Sequence, residues 1–204
     1  MTTAPLAHPR GLDPSAWVRR WSHLVDTGAT VLDVACGSGR HVRWFAERGC
    51  RVTALDRDGA AIEPLRSVAR VVVADLEAAP WPLPTERFDA VVCTNYLWRA
   101  LLPALLDAVA EGGVLIYETF ARGNEAFGKP SNPDFLLRPG ELLEVTTGLR
   151  VIAYEDGVLD APTRCVQRIV AVRDRTDAHP AGPRLLAPAW RRGRLKSADS
   201  EECP

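Results

Sequence analysis

The chain carries almost no net charge: 25 Lys plus Arg stand against 26 Asp plus Glu over 204 residues, leaving −1. A balance this close supplies no long-range field to gather nucleic acid or an anionic membrane surface. Cysteine is scarce and scattered. Five residues (Cys36, Cys50, Cys93, Cys165 and Cys203) lie far apart with no C-x-x-C pair, which excludes both a disulfide framework and zinc-finger spacing and predicts reduced thiols. No apolar run is long enough to span a bilayer, and the opening MTTAPLAHPRGLDP puts His8, Pro9 and Arg10 where a secretion signal needs its apolar centre. No membrane anchoring is expected, and the predicted location is cytoplasmic. Solenoid-type repeats are missing. His8, His23 and His179 have no acid or cysteine pattern around them, so no metal site is indicated.

What is present is an alternation of strands and helices. Seven strand candidates follow in order: residues 31–35, 51–56, 70–75, 88–95, 113–120, 149–158 and 164–173. The first five are short apolar runs rich in Val and Ile, as expected of strands buried on both faces of a parallel sheet. Asp13 and Pro14 suggest an N-cap and first turn, after which Trp17, Val18, Trp21, Leu24 and Val25 form one helical stripe. Leu101, Leu102, Leu105, Leu106 and Val109 repeat that spacing ahead of Gly112 and Gly113, which should stop the helix. Shorter helices are expected at 40–48, 60–68 and 139–146. The pattern predicts an α/β fold with a doubly wound, mostly parallel sheet. Only Asp160, Pro162, Thr163 and a few neighbours separate the last two strands, too few for a helical crossover, so an antiparallel edge hairpin is expected there. One domain over 14–173 is predicted, with a flexible N-terminus over 1–13 and a mobile, Pro- and charge-rich tail over 174–204.

The candidate ligand loop is VLDVACGSGRH, residues 31–41. Glycines after a strand let the backbone turn sharply beside a ligand, and the next helix offers free N–H groups there. A phosphate-cradling P-loop would need G-x-x-x-x-G-K-[ST], and no Lys is present. A dinucleotide fingerprint needs a third glycine where Val42 stands. Asp33, just before the loop, would repel a diphosphate and suits a cationic ligand. S-Adenosylmethionine, with sulfonium and ammonium charges and no phosphate, fits these electrostatics better than NAD. Asp56 closes the second strand where an acid can accept ribose hydroxyls, and Asp75-Leu76 closes the third with a hydrogen-bonding group and an apolar cover for adenine.

In the order VLDVACGSGRH, TALDRD, VVADLE, FDAVVCTNYLWR and EGGVLIYETF, the chain resembles the class I S-adenosylmethionine-dependent methyltransferases over roughly residues 14 to 173. The resemblance implies a seven-stranded sheet whose last strand is antiparallel. It also implies that Asp33, Gly37 and Gly39 line the methionine part of the cofactor, Asp56 the ribose, and Asp75 and Leu76 the adenine, and that Asn95 faces the reacting methyl group. The long stretch after the fifth strand, ETFARGNEAFGKPSNPDFLLRPGELLE, resembles small bacterial methyltransferases of the tellurite-resistance type.

Acceptor residues are sought beyond the carboxyl ends of strands four and five. Tyr96, Leu97 and Trp98 are candidate pocket walls, and Arg99 a solvated arginine or a partner for an acceptor carboxylate. The long loop is too apolar at Phe120, Phe127, Phe135, Leu136 and Leu137 for a linker, which predicts a packed flap. Glu118, Asn124 and Glu125 are the polar groups expected to point at the acceptor. His41 is either a base or a partner to the loop from its helix, the second being favoured. Base-nitrogen methylation of nucleic acid is disfavoured, because Asn95-Tyr96-Leu97 lacks the prolines of [DNS]-P-P-[YFW] and the basic tail turns acidic at once. A hydride-transfer set is missing, since no Tyr-x-x-x-Lys occurs. The expected activity is methyl transfer from S-adenosylmethionine to a small molecule; the alternative is a sensor or scaffold that binds the cofactor without transferring.

Overall fold

The computed structural model describes residues 13–176. Seven strands form one sheet in the order β3-β2-β1-β4-β5-β7-β6. They are β1 (Thr30–Val34), β2 (Arg51–Asp56), β3 (Arg70–Val73), β4 (Phe88–Thr94), β5 (Val109–Phe120), β6 (Arg150–Asp160) and β7 (Thr163–Val172). The first five pair in parallel, and β7 runs antiparallel to both β5 and β6. The α/β architecture and the edge hairpin are as the spacing predicts, with Asp160 opposite Thr163 at the turn.

Alternation along the strands sends side chains to two separate cores. One face takes Leu32, Val34, Val91, Leu115 and Tyr117, covered by α4 (Leu102–Asp107) and α5 (Glu141–Val145). The other takes Val31, Ala54, Val92 and Ile116, covered by α1 (Ala16–Trp21), α2 (Arg40–Glu47) and α3 (Gly59–Ile62). With both faces covered, the central strands have to be apolar throughout, which is how they look in the sequence. The order of strands reverses between β1, which leads out to β2, and β4. Open sheets of this kind form a crevice there, beyond the carboxyl ends of the strands.

Several helix ends differ from expectation. Ser15, not Asp13 with Pro14, caps α1: its Oγ accepts the N–H of Val18 at 3.1 Å. The 60–68 helix is α only to Ile62 and continues as a 3-10 turn, because Pro64 has no N–H to extend the ladder. α4 stops at Asp107, and Val109, expected on that helix, instead opens β5 opposite Phe88. Gly112 and Gly113 lie inside β5, where the six residues from Val109 to Val114 stand opposite the three from Phe88 to Ala90. A Cβ on Gly113 would sit 2.8 Å from the Ala110 carbonyl oxygen. These glycines therefore permit a bulge and do not end a helix.

The expected flexible N-terminus and mobile tail lie outside the described residues except at their inner ends. There, Asp174 pairs with Arg150 and the Thr176 hydroxyl donates to Glu111 at 2.8 Å.

Candidate functional site

The glycine loop leaves β1 through three left-handed residues: Ala35 (φ 53), Gly37 (φ 54) and Gly39 (φ 79). Its two glycines have different reasons to be glycine. A Cβ on Gly37 would meet nothing within 4 Å, so only the backbone conformation selects it. A Cβ on Gly39 would lie 2.5 Å from Leu65 Cδ1, a core side chain, so here the missing side chain lets α2 pack close. The Gly37 N–H donates to Asp56 Oδ2 at 2.8 Å, while Asp56 Oδ1 accepts the N–H of Asp58 at 2.9 Å. Two bonds fix the carboxylate and still leave each oxygen a lone pair.

Asp33 lies on β1 directly before this loop and is 1% exposed. Its Oδ2 has no hydrogen-bond partner. Burial pushes its pKa up to about 8, aided by Asp56 and opposed by Arg40. His41, also buried, accepts the Ser15 N–H at Nε2 (3.1 Å), which puts the ring proton on Nδ1, 4.0 Å from Asp33 Oδ2. That separation is too long for a hydrogen bond. Burial, reinforced by Arg40, holds the His41 pKa down at about 3. The imidazole is thus a neutral tie between α2 and the start of α1, in line with the favoured sequence reading.

Beyond the carboxyl ends of β1, β2 and β3 lies a cleft of about 190 Å³ lined by Ala35, Asp56, Arg57, Asp75, Leu76 and Tyr96, with Ala74 and Glu77 completing it. Asp75 Oδ1 accepts the N–H groups of Glu77 (2.9 Å) and Ala78 (3.3 Å), which shapes the turn after β3. Three carboxylates against one guanidinium make a wall hostile to a diphosphate.

A second cavity, of about 200 Å³, opens beyond β4 and β5. Leu97, Thr119, Phe120, Pro130 and Phe135 line it together with Asn95, and it shares Glu77 and Tyr96 with the first cleft. Asn95 is held left-handed (φ 56), its N–H donating to the Glu118 carbonyl at 2.9 Å, which turns the chain out of β4 at the pocket mouth. Burial, with help from Glu77, raises the Tyr96 phenol well above its ordinary pKa, so it serves as a neutral wall. Trp98 packs against the core beneath.

Other expected acceptor residues sit elsewhere. Glu118, 1% exposed, faces α1's side of the sheet between Arg168 (3.3 Å) and Arg164 (3.8 Å). Asn124 spends both ends of its amide inside the flap: Nδ2 donates to the Pro130 carbonyl at 3.0 Å, and Oδ1 accepts the Cys165 N–H at 3.2 Å. Glu125 accepts the Gly123 N–H at 2.8 Å and faces solvent. None of the three lines either cavity. Arg99 is half-exposed, but its guanidinium is already paired and not free for an acceptor. It clamps the flap, donating to both carboxylate oxygens of Glu141 (2.6 and 3.0 Å) and to the carbonyls of Asp134 (2.6 Å) and Leu136 (2.9 Å). Sequence reasoning passed over Glu77 and Thr119; Glu77 follows the Asp75-Leu76 pair directly, which was the available signal.

Residues 31–113, from β1 into the glycine bulge of β5, match the family model described as "Methyltransferase domain". Over this stretch the chain matches a methyltransferase domain, and its sheet is that of the class I methyltransferase fold. Among relatives, it is 34% identical over 107 residues to a malonyl-[acyl-carrier protein] O-methyltransferase from Serratia marcescens, covering 48% of this chain and 40% of that protein. It is 31% identical over 116 residues to a tRNA U34 carboxymethyltransferase from Shewanella amazonensis, covering 50% and 35%. The chain thus spans about two fifths of the length of these relatives. The fold is shared with TehB from Haemophilus influenzae at a TM-score of 0.64 and 19% identity, over 77% of this chain and 61% of that one. S-Adenosylmethionine is the cofactor that a methyltransferase domain on this fold implies. The residues present suit it: a buried carboxyl oxygen without a partner at the glycine loop, and a cleft rich in carboxylates, match a ligand with positive charge and no phosphate.

Proposed function

We propose that the protein transfers a methyl group from S-adenosylmethionine to a small molecule bound in the pocket beyond Asn95. The observation that carries this reading is the sharing of Tyr96 and Glu77 by two adjoining cavities, one with the carboxylates that suit an adenosyl group and one lined mostly by apolar side chains. In it, Asp33, Gly37 and Gly39 serve the methionine end, Asp56 the ribose, and Asp75 with Leu76 the adenine, while Asn95 lines the acceptor pocket. The bound cofactor supplies an activated methyl group; the chain's own residues align the acceptor and exclude water. The Arg99 clamp contributes by holding the flap, and with it Pro130 and Phe135, over the acceptor. Bound in the cleft, S-adenosylmethionine would give its methyl carbon to the acceptor's nucleophile and keep the electron pair of the broken carbon–sulfur bond.

The relatives differ in acceptor, one named for a carrier-bound malonyl group and one for a tRNA base. A cavity of about 200 Å³ supports a small acceptor here, being below the roughly 300 Å³ at which drug-sized ligand sites begin. The working unit we assign is residues 14–173. We place it in the cytoplasm because its described cysteines are all free; among the described residues no helix is long and apolar enough to cross a membrane.

Calorimetric titration with S-adenosylmethionine, S-adenosylhomocysteine and NAD, beside Asp56→Ala, tests the reading. Both adenosyl ligands should bind, NAD should not, and the substitution should weaken binding about tenfold or more, the scale of charge-assisted hydrogen bonds. Absence of adenosyl binding overturns it. Adenosyl binding without transfer to any of a broad acceptor panel would favour the sensor alternative.

A further inference from the structure

We propose that the pocket beyond Asn95 takes an amine carried on a single apolar ring and turns anionic acceptors away. The inference deepens the methyl-transfer reading and rests on it for the identity of the site, but its charge selection stands on the lining alone. The walls are mainly rings and aliphatic groups, with Tyr96, Phe120 and Phe135 supplying the rings. The polar lining consists of one carboxylate, Glu77, and two neutral groups, Asn95 and Thr119. No cation lines it.

The cations of the flap and of the neighbouring cleft are engaged or lie outside the lining, and Arg40 donates to the Thr94 hydroxyl at 3.3 Å. Arg99 is committed to Glu141 and two carbonyls. Lys129 and Arg122 of the flap are exposed and outside the lining. Arg57 lines the neighbouring cleft, where Asp56 and Asp75 outnumber it. A carboxylate or phosphate entering this pocket would lose hydration, find no donor of opposite charge, and meet Glu77. An ammonium meets the opposite conditions: a carboxylate at the rim and aromatic faces beside it. Glu77 is exposed, so the proton that such an amine sheds before attack passes to its carboxylate and on to water. The freed nitrogen lone pair would then form the N–C bond to the methyl group that bound S-adenosylmethionine supplies, the carbon–sulfur bond breaking with its pair left on sulfur.

The chemistry is read without turnover by titrating the full chain with benzylamine, benzyl alcohol and benzoate, each with and without S-adenosylhomocysteine, for wild type, Glu77→Gln and Phe135→Ala. Benzylamine should bind tightest and benzoate weakest, by about threefold to tenfold per step, the range of an exposed charge contact with ring stacking. Glu77→Gln should bring benzylamine to the level of benzyl alcohol, and Phe135→Ala should weaken all three. Benzoate binding as well as benzylamine overturns the proposal, as does a preference untouched by Glu77→Gln, or no binding of any ring probe. Loss of S-adenosylhomocysteine binding alone, with the amine preference intact, would count against the methyl-transfer reading and leave the pocket assignment standing.

Discussion

A carboxyl group as deeply buried as Asp33 resists ionisation, and its pKa of about 8 stands well above the 3.8 of an exposed aspartate. Between those values the folded chain keeps a proton that the unfolded chain releases, so stability from this group is full at low pH and drains as pH rises toward 8. His41 works in the opposite sense. Its pKa is lowered from 6.5 to about 3, so its share is full above 6.5 and lost on acidification. From pH 6.5 to 8 Asp33 acts alone. Asp33→Asn preserves the shape and cannot ionise; its melting temperature, compared with wild type at pH 6.5 and pH 8, should gain by several degrees at the higher pH. Parallel pH curves would show that Asp33 is ionised in the fold.

At the scale of elements, the flap is a loop made rigid by one side chain. Arg99, beside β4, reaches α5 through Glu141 and the flap through two carbonyls, while Leu136 and Leu137 fill the core below. Burial alone would raise the Glu141 pKa, but the Arg99 and Arg138 hydrogen bonds outweigh it and hold the carboxylate below its ordinary range. Its contribution is therefore present at neutral pH and lost as pH falls below the usual carboxylate value. Arg99→Ala should cost about 2 kcal/mol, with the half-exposed arginine discounted for solvent, and should speed proteolysis between residues 122 and 135. Arg99→Lys should recover little, since one ammonium cannot serve the Glu141 carboxylate and both flap carbonyls. Denaturant melts and limited proteolysis check both; unchanged cleavage would show that Leu136 and Leu137 suffice.

For the whole molecule, strand order sets the hierarchy of stability. β1, β4 and β5 are paired on both sides and covered on both faces, whereas β3 and β6 are edges with exposed Val73, Val151 and Val158. Native-state hydrogen exchange should find the slowest amides in β1, β4 and β5 and the fastest strand amides in β3 and β6. Slow exchange throughout β3 would indicate an edge covered by something else.

Much of this was legible in the residues. Strand and helix alternation follows from side-chain periodicity, a local property, so all seven strands were found and most of their ends lay within a few residues. Asp56 and Asp75 were legible as carboxylates at strand ends, and both line the cleft there, because the chemistry of a strand end is written in adjacent residues. Where a helix gives way to a strand is less local: Val109 carries helical spacing yet is drawn into β5 by pairing with Phe88. The acceptor side was least legible. Glu118, Asn124 and Arg99 are polar residues near a site in sequence, and only packing decides which way each one faces. The sequence by itself determined the order of elements, the two apolar faces of the sheet and the carboxylates at its strand ends. The tertiary structure alone decided that Arg99 binds the flap and not a ligand, that Gly39 makes room for Leu65, and that Glu77 joins Tyr96 between two cavities, because each is a contact between segments distant along the chain.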